Sequence, residues 1–523
     1  MLQKITSAYI ALLLTVFLLA IPRGGYAYIG DFKYSLFLLI CGGYVLVIAV
    51  LRVLFAACSL NVGATAPGRP GVTSYEQRRP SAHKVRASMS VAPAIFRTLT
   101  QPRTLLLLFL FSTILSAIFA NYPGAFRGHM RREGAFTIAI YVLSCILVMH
   151  YFRPRKWMTL LFGASCALVS LLGLVQLSGA NPFSLYPDGG NFYGAGIYYS
   201  GQFLSTIGNA GLLAAFLSLA VGVMAMAIIK FDFAERWHLA LPLFLTALLM
   251  FVMGIDAAFM AVLVGLVTMI PVAVTSRKTL ARTFAVFAIV GAAFTLSRAL
   301  VFTDSGVAFT GVNILLVAGT IAAGGLAVLV HKAGVFDKIP PRLYRVGSAG
   351  FSLFAIAAAF VYLWFYPGEP GGMVYEASQV LRGNWNDDFG TRRVFIWRNV
   401  LENITLRTLW LGTGPDTLAH WENIPNFVRL TETRNFITVI DAAHNEPLHI
   451  LATGGLLSLL PYLAAIVVAG INWYRRPDNS LMAVAGAGVL FYVIQAQFGI
   501  SQFLAAPFFW ACFGVMLYGA RSS

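Results

Sequence analysis

The hydrophobic pattern of this chain is a succession of long apolar runs separated by shorter polar connections. A membrane's hydrocarbon core is about 30 Å thick, so each helical crossing needs roughly 20 apolar residues. Fourteen runs predict such crossings, and the fold class is therefore an all-α, polytopic membrane protein with 12–14 transmembrane helices. The runs cover about residues 5–22, 34–57, 104–121, 136–152, 157–178, 203–229, 238–253, 257–274, 283–302, 309–330, 346–366, 446–469, 480–499 and 503–520.

Two details of this pattern need interpretation. The first run follows Lys4 as a signal peptide would, but thirteen further runs come after it, so we interpret it as a retained signal anchor. The runs 238–253 and 257–274 are separated only by the letters GID. Two full crossings and one re-entrant hairpin would give the same pattern there.

Composition agrees with the membrane assignment. The 523 residues are 59% hydrophobic and only 11% charged, and the mean hydropathy is +0.77. Soluble globular domains carry about 25% charged residues. The five Cys lie in or beside the apolar runs without CxxC or His/Cys spacing, so they predict neither a disulfide framework nor a zinc site.

The basic residues predict the orientation. With a cytoplasmic N-terminus, 22 of the 37 Lys and Arg fall in inward loops and twelve in outward loops. Cytoplasmic loops of membrane proteins are enriched in Lys and Arg. We therefore expect both termini inside and the long loop 367–445 outside. The same bias accounts for most of the net charge of +17, so we predict no nucleic-acid partner.

These boundaries divide the chain into five parts. We predict N-terminal transmembrane helices over 1–57, a basic Gly/Pro-rich cytoplasmic linker over 58–102, and a helix bundle over 103–366. A large extracytoplasmic loop follows over 367–445, and C-terminal transmembrane helices occupy 446–523. The linker is expected to be solvated, with contacts to anionic lipid as its alternative role.

The extracytoplasmic loop is too long for a simple connection. It contains two stretches that predict helices, 391–412 and 421–436, separated by the turn signal GTGPDT. Its cations are all arginines, which bind phosphate oxygens in pairs, so diphosphate recognition is one hypothesis. The alternative is that most of them pair with the loop's own acids. The arginines are Arg382, Arg392, Arg393, Arg398, Arg407, Arg429 and Arg434, and the acids are Glu376, Asp387, Asp388, Glu402 and Glu432.

The end of this loop carries the candidate chemistry. In "DAAHNEPLHILATGG", Asn445 is a good N-cap and Pro447 suits a first helical turn, so His444 precedes a membrane helix. The positive end of the helix dipole disfavours imidazolium, and a neutral His is a candidate general base. A capping or interfacial role is the alternative for His444, and His449 is interpreted as a packing residue.

Three segments in this order resemble the O-antigen ligase and O-antigen polymerase family of membrane glycosyltransferases. "FGTRRVFIW" has Arg393 and Trp397 in its Arg-x-x-x-Trp element. "LWLGTGPDTL" is similar to its P-x-x-G-x-G segment, with Leu409 in place of the proline. "AHNEPLHILATGGLLSLL" is similar to its signature HN-x-x-L followed by G-x-x-G, with Ser458 in place of the second glycine.

A fourth segment, "STIGNAGLLAAFLSLA", resembles the family's GT-x-x-N-x-N-x-LA helix and keeps Asn209 but has Gly211 at the second Asn. Where the family often has Ser-Arg, the aligned residue is Asp256, and Arg298 is a candidate substitute for that arginine. Together the resemblance spans roughly residues 157–520.

The resemblance implies a GT-C-like fold in a bacterial cytoplasmic membrane and transfer of a glycan from undecaprenyl diphosphate to a hydroxyl of a glycan or glycolipid acceptor. His444 would be the catalytic base or a group that orients the acceptor, and Arg393 with Arg392 would hold the diphosphate. Asn445, Trp397, Asn209 and Arg298 would be further substrate-binding residues. No cofactor is expected. Asp387 and Asp388 of "NWNDDFG" lack DxD and EF-hand spacing, so we interpret them as loop-capping or Arg-pairing residues and predict no metal site.

Three alternatives remain at this level. A polymerase of the same family would share these motifs. A polysaccharide or lipid transporter would also have twelve to fourteen spans, but it is expected to carry ionisable groups at mid-membrane depth. A peptidoglycan polymerase would use the same lipid carrier, and the HN signature speaks against it.

Overall fold

The computed structural model describes residues 1–63, 101–120, 122–232, 234–421, 427–430 and 435–521. Most of the predicted linker 58–102 and the loop residues Glu432 and Arg434 lie outside these ranges. Helices dominate the described chain, and its strands form only three two-stranded hairpins. The chain is therefore an all-α polytopic protein in its architecture.

The helices are numbered here in chain order. The first eight are α1 Leu2–Leu12, α2 Ile29–Phe37, α3 Gly43–Gly63, α4 Pro102–Ile118, α5 Ala135–Tyr151, α6 Lys156–Leu177, α7 Ala210–Lys230 and α8 Ala240–Val252. The next four are α9 Asp256–Ala273, α10 Arg277–Ala299, α11 Ile314–Lys332 and α12 Pro341–Trp364. The large loop holds α13 Gly372–Leu381, α14 Phe389–Glu402 and α15 Leu406–Leu411, and the chain ends with α16 Glu446–Arg475, α17 Ser480–Ala496 and α18 Ala506–Arg521.

Every one of the fourteen predicted runs contains a helix. Within the described residues, eight helical segments are long and apolar enough to cross a membrane. These are Gly25–Ala56, Lys156–Leu177, Ala210–Lys230, Asp256–Ala273, Arg277–Ala299, Ile314–Lys332, Pro341–Trp364 and Glu446–Arg475. The remaining apolar helices are shorter. For example, α4 has 17 residues, α18 has 16 and α1 has 11.

The core is centred on α7. This helix is apolar on all sides, and 94% of an 18-residue stretch of it is buried. It packs on α17, α8 and α9. Gly222 lets the backbone of α17 approach closely, because a Cβ there would lie 2.6 Å from the carbonyl oxygen of Ala487.

Helices α8 and α9 do not form a hairpin packed on itself. The first packs mainly on α6, α7 and α10, whereas the second packs mainly on α7, α12 and α17. The two helices share only α7 among these main neighbours. This difference favours two separate elements of the bundle over one re-entrant unit.

Connections from distant parts of the chain meet at two ends of the bundle. On one face, the Nζ of Lys230 donates to the Oγ1 of Thr275 at 3.1 Å, and Arg476 donates to the carbonyl oxygen of Ala520 at 2.6 Å. On the opposite face, the Nδ2 of Asn445 donates to the carbonyl oxygen of Gln497 at 3.0 Å, and Arg131 pairs with Asp441 at 2.6 Å. We call these the basic face and the loop face.

The strands add three hairpins to this framework. β1 Phe203–Leu204 pairs with β2 Gly208–Asn209, and β3 Leu300–Thr303 pairs with β4 Gly306–Phe309. β5 Phe427–Leu430 pairs with β6 Asn435–Thr438. The prediction of a helix over 421–436 is therefore wrong. Aromatic and β-branched residues such as Phe427 and Val428 are common in strands, and Asn435–Thr438 supplies the pairing partner.

Candidate active site

The loop end around His444 is fixed from two directions. Asn445 is the N-cap of α16, and its Oδ1 accepts the backbone N–H of Leu448 at 2.8 Å while its Nδ2 donates to Gln497. The indole Nε1 of Trp397 donates to the carbonyl oxygen of Ala443 at 3.0 Å. His444 itself has a left-handed backbone, with φ of 49°. Such strained residues cluster at functional sites, and here the neighbours hold the strain in place.

The imidazole of His444 lies in an electropositive, largely enclosed place. Burial and then the charges of Arg131 and Arg393 lower its pKa to about 4, while the charge of Asp441 opposes them. The ring is therefore neutral at pH 7 and able to accept a proton. The expectation of a neutral imidazole came from the helix dipole, whereas burial and two guanidinium groups are the larger causes in the structure.

Arg131 is a member of this site that the motif analysis missed. Its Nη2 pairs with Asp441 at 2.6 Å, and its backbone N–H donates to the Oδ2 of Asp416 at 3.1 Å. Its Nε is buried and has no hydrogen-bond partner among the described residues. The segment "RGHMRREG" offered one signal, because three arginines in a predicted outward loop run against the positive-inside bias.

Asp416 holds the loop that carries Arg131. Its Oδ2 also accepts the backbone N–H of His129 at 2.5 Å, and burial raises the pKa of its carboxyl against these hydrogen bonds. Asp416 belongs to the GTGPDT segment, so this part of the large loop fixes the position of a loop nearly three hundred residues earlier in the chain.

Arg393 and Trp397 line a groove of about 880 Å³ between α9, α13 and α14. The Nη1 of Arg393 donates to the carbonyl oxygen of Gly390 at 2.8 Å, while its buried Nε has no hydrogen-bond partner within the described part of the chain. Burial lowers the pKa of Arg393, and the negative charges of Asp256 and Glu376 raise it. Most of the other lining residues are apolar, which suits a ligand with both an anionic and an oily part.

The two glycine motifs meet in one contact. The backbone N–H of Gly414 donates to the carbonyl oxygen of Thr453 at 2.8 Å, so the GTGPDT segment lies directly on α16. A Cβ on Gly412 would lie 2.2 Å from the carbonyl carbon of Thr453, and one on Gly455 would lie 2.2 Å from the carbonyl oxygen of Trp410. Gly455 has φ of 69° and interrupts the helix there. These glycines allow the loop to dock beside His444.

A small apolar core supports the docked loop. It joins α14, the GTGPDT segment, the approach to His444 and the start of α16. Its buried members are Ile396, Val400, Leu418, Trp421, Ile440, Ala443 and Ala452.

Beneath the loop lies a second, polar cavity of about 510 Å³, lined by Glu133, Asp416, Glu446, His449 and nine other residues. The Oε1 of Glu446 accepts the Tyr462 hydroxyl at 2.7 Å. Glu133 accepts the Tyr141 hydroxyl at 2.8 Å, and burial raises the pKa of its carboxyl. His449 lines this cavity as well.

Of the seven predicted site residues, only Arg393 and Trp397 are in the lining of the groove. His444 and Asn445 are outside this lining, and the other three lie elsewhere. Arg392 is exposed, forms an ion pair with Asp388 at 3.5 Å, and is not part of the lining that contains Arg393. Asn209 caps α7 through the backbone N–H of Leu212 at 3.0 Å. Arg298 is exposed in the last turn of α10. Asp256, at the position aligned with an arginine, instead places a carboxylate near Arg393.

The acids of the loop pair with its arginines only in part. Asp387 pairs with Arg398 at 2.9 Å, and Asp388 pairs with Arg392, as expected for Arg-pairing residues. Arg382 and Arg407 donate instead to the backbone carbonyl oxygens of Tyr366 and Phe119. Two of the seven arginines, Arg392 and Arg398, thus pair with loop acids within the described residues, as expected. Among the described residues no group of three or more His, Cys, Asp or Glu has the arrangement of a metal site.

Neither a scan against protein-family models nor a search of curated proteins finds a match to this chain.

Proposed function

We propose that the protein is a membrane glycosyltransferase that moves a glycan from undecaprenyl diphosphate to an acceptor hydroxyl. The observation that carries this proposal is a neutral imidazole, His444, under the influence of two arginines, Arg131 and Arg393. Both arginines have a buried Nε without a partner among the described residues. A base beside two guanidinium groups suits a reaction in which a hydroxyl attacks and a diphosphate leaves.

In the proposed reaction the acceptor oxygen attacks the anomeric carbon of the lipid-linked sugar. His444 takes the hydroxyl proton as the new carbon–oxygen bond forms. The old bond between the anomeric carbon and the diphosphate oxygen breaks, and its electron pair leaves with undecaprenyl diphosphate. Negative charge grows on that oxygen, where fixed guanidinium groups stabilise it most in a site with little water. Arg131 and Arg393 take this role. Arg131 takes the substrate-binding role that the sequence first suggested for Arg392 and Arg298.

The shape of the site supports a lipid-linked donor. The groove beside Arg393 combines one cation with apolar walls that include Met260, Val380 and Phe498. Such walls suit the first isoprene units of the carrier lipid, with the diphosphate at the guanidinium. The rest of the proposal follows the family resemblance: a GT-C-like bundle of fourteen spans in a bacterial cytoplasmic membrane, with both termini inside and the loop face outside.

A polymerase of the same family would use the same residues and differ only in its acceptor, a second lipid-linked glycan. A transporter is the alternative from another class, because Lys33 and Glu446 are ionisable groups buried in spanning helices. Both have structural partners, however. Lys33 donates to the carbonyl oxygens of Phe17 and Leu18, and Glu446 accepts from Tyr462.

The test uses the purified protein in detergent with an undecaprenyl-diphosphate-linked oligosaccharide, alone and with candidate acceptors. Mass spectrometry gives the size and linkage of the product. A ladder of repeats from the donor alone identifies a polymerase, and a single block on an added acceptor identifies a ligase. The control is His444→Ala, for which we expect a loss of about 10²- to 10⁴-fold, the contribution of a general base. No turnover by the wild type in a stable preparation favours the transporter.

The matched variant His238→Ala removes an exposed histidine of the basic face and is expected to keep full activity. Near-normal turnover by His444→Ala would contradict the role of His444 as the base.

A further inference from the structure

The basic face holds a groove that the proposed reaction does not use. It lies where the ends of α8, α10 and α11 meet, and it encloses about 1240 Å³. We call it the basic groove. Its polar end is lined by Arg236, Trp237, Lys278, Arg282, His331 and Lys332, and its apolar end by Ala281, Ala285, Ala327 and Val328.

Positive charge exceeds negative charge among the described residues of this groove. The lining side chains that the structure describes include four Lys and Arg and no carboxylate. Arg282 is already committed, because it pairs with Asp232 at 2.9 Å and donates to the carbonyl oxygens of Ile229 and Phe231. Lys278, His331 and Lys332 are exposed on the groove. Burial and the charge of Arg282 lower the pKa of Arg236, and the negative charge of Asp232 opposes them.

The apolar end of the groove lies beside the exposed surface of α11. Only Val330 is buried along the whole of α11, so most of this helix faces outward. Three of the four apolar lining residues are alanines, which leave a shallow channel between α10 and α11. Trp237 is 43% exposed beside the cations. Tryptophan is enriched where a membrane meets water, so this residue places the polar end of the groove at headgroup level.

We propose that the basic groove binds an anionic glycerophospholipid, with the headgroup phosphate between Lys278 and Lys332 and an acyl chain along the alanines of α10 and α11. The ligand class follows from the two ends of the groove: a phosphodiester matches the cations, and a hydrocarbon chain matches the small apolar side chains. Basic pockets between membrane helices bind such headgroups in other proteins. The proposal does not depend on glycosyl transfer and would hold for a transporter as well.

The experiment measures the lipid that the full-length protein retains. The protein is reconstituted in nanodiscs containing phosphatidylcholine with a minor fraction of cardiolipin or phosphatidylglycerol of matched chain length, then released and examined by native mass spectrometry. The wild type is expected to retain the anionic lipids in preference to phosphatidylcholine. The variant Lys278→Gln/Lys332→Gln is expected to lose this retention roughly tenfold or more, since each basic residue near the surface adds to the attraction.

Two further variants make the result specific. Arg153→Gln/Arg155→Gln removes two exposed charges elsewhere on the basic face and is expected to retain lipid like the wild type. Lys278→Arg/Lys332→Arg keeps both charges and is expected to bind normally, which also shows that the site tolerates substitution. Equal loss in the Arg153/Arg155 variant, undiminished retention in the Gln variant, or equal retention of phosphatidylcholine would overturn the proposal. Displacement of the lipid by inorganic phosphate alone would also overturn it, because a phosphate site needs no acyl channel.

Discussion

The protonation of His444 sets the pH dependence expected for the reaction. Its pKa is lowered from 6.5 to about 4, first by burial and then by the charges of Arg131 and Arg393. The base is active when neutral, so kcat/KM is expected to be flat through the neutral range. It should fall about tenfold per pH unit once the pH drops below the pKa of His444.

A variant of Arg131 tests whether its charge contributes to the lowered pKa of His444. Arg131→Gln removes one positive charge near the imidazole, so the pKa of His444 rises toward its ordinary value and the acidic limb of kcat/KM moves to higher pH. Arg127→Gln, an exposed arginine of the same loop, is the matched control and should leave the limb in place. An unmoved limb in Arg131→Gln would show that Arg131 does not act on the catalytic base.

The planar guanidinium geometry of Arg393 is expected to matter for transfer in addition to its charge. Arg393→Lys keeps a cation but offers a point ammonium in place of the planar guanidinium. The expected loss in kcat is about 10²-fold or more, the effect of removing one donor to developing charge. Arg392→Lys is a control one residue away, because Arg392 is exposed and lies outside the groove. Single-turnover rates with saturating donor measure the effect, and equal rates for Arg393→Lys and the wild type would contradict it.

Short motifs predicted part of this site. His444, Asn445, Arg393 and Trp397 stand in local patterns, and the structure connects Trp397 to the backbone just before His444. Arg131 could not be found in that way, since its place depends on Asp416 and Asp441, which are far away in the sequence. The local sign was its charge in a loop that is predicted to face outward.

At the scale of elements, the docking of GTGPDT on α16 is expected to be sensitive to substitution. Gly455→Ala places a Cβ on a residue with φ of 69° and 2.2 Å from the carbonyl oxygen of Trp410. A left-handed non-glycine residue costs about 1–3 kcal/mol, and the clash adds to it. We expect a lower unfolding temperature and a marked loss of transfer, because the displaced loop carries Asp416 and so the support of Arg131.

Gly470→Ala is the matched control on the same helix. A Cβ there meets no atom within 4 Å, and Gly470 has no left-handed backbone. The substitution is expected to leave activity unchanged and to stabilise the helix slightly, since alanine favours helix over glycine by about 1 kcal/mol. Thermal unfolding in detergent compares the two variants. Equal behaviour of Gly455→Ala and Gly470→Ala would contradict the docking role.

Element type was predictable where the apolar pattern was long and uniform, as in α7 or α11. The prediction failed at 421–436. This short segment of mixed polarity fits both the helical and the strand period, and the pairing of β5 with β6 decides the outcome. The left-handed residues Gly390, Thr391 and Arg392 at the start of α14 were equally unpredictable, because their conformation is held by neighbours such as Glu376, which accepts the N–H of Gly390 at 2.8 Å.

At the scale of the whole molecule, one burial pattern separates core helices from peripheral ones. α7 is almost wholly buried, whereas only 6% of an 18-residue stretch of α11 is buried. The two have similar hydropathy, 2.6 and 2.2, so the sequence alone cannot tell which helix lies at the centre. In a membrane, apolar side chains suit both lipid and protein, and packing with neighbours such as α17 decides the position.

The orientation of the bundle is the remaining prediction at this scale. The basic loops meet on one face, and positive-inside bias predicts that this face is cytoplasmic. The long helix Glu446–Arg475 separates the two faces between His444 and Arg476. In a variant without native cysteines, Glu369→Cys on the loop face and Asp478→Cys on the basic face supply exposed labels. An impermeant maleimide is expected to modify Glu369→Cys in intact spheroplasts and Asp478→Cys only after permeabilisation. The reverse result would place His444 in the cytoplasm, away from the outward-facing lipid-linked donor that the proposed reaction requires.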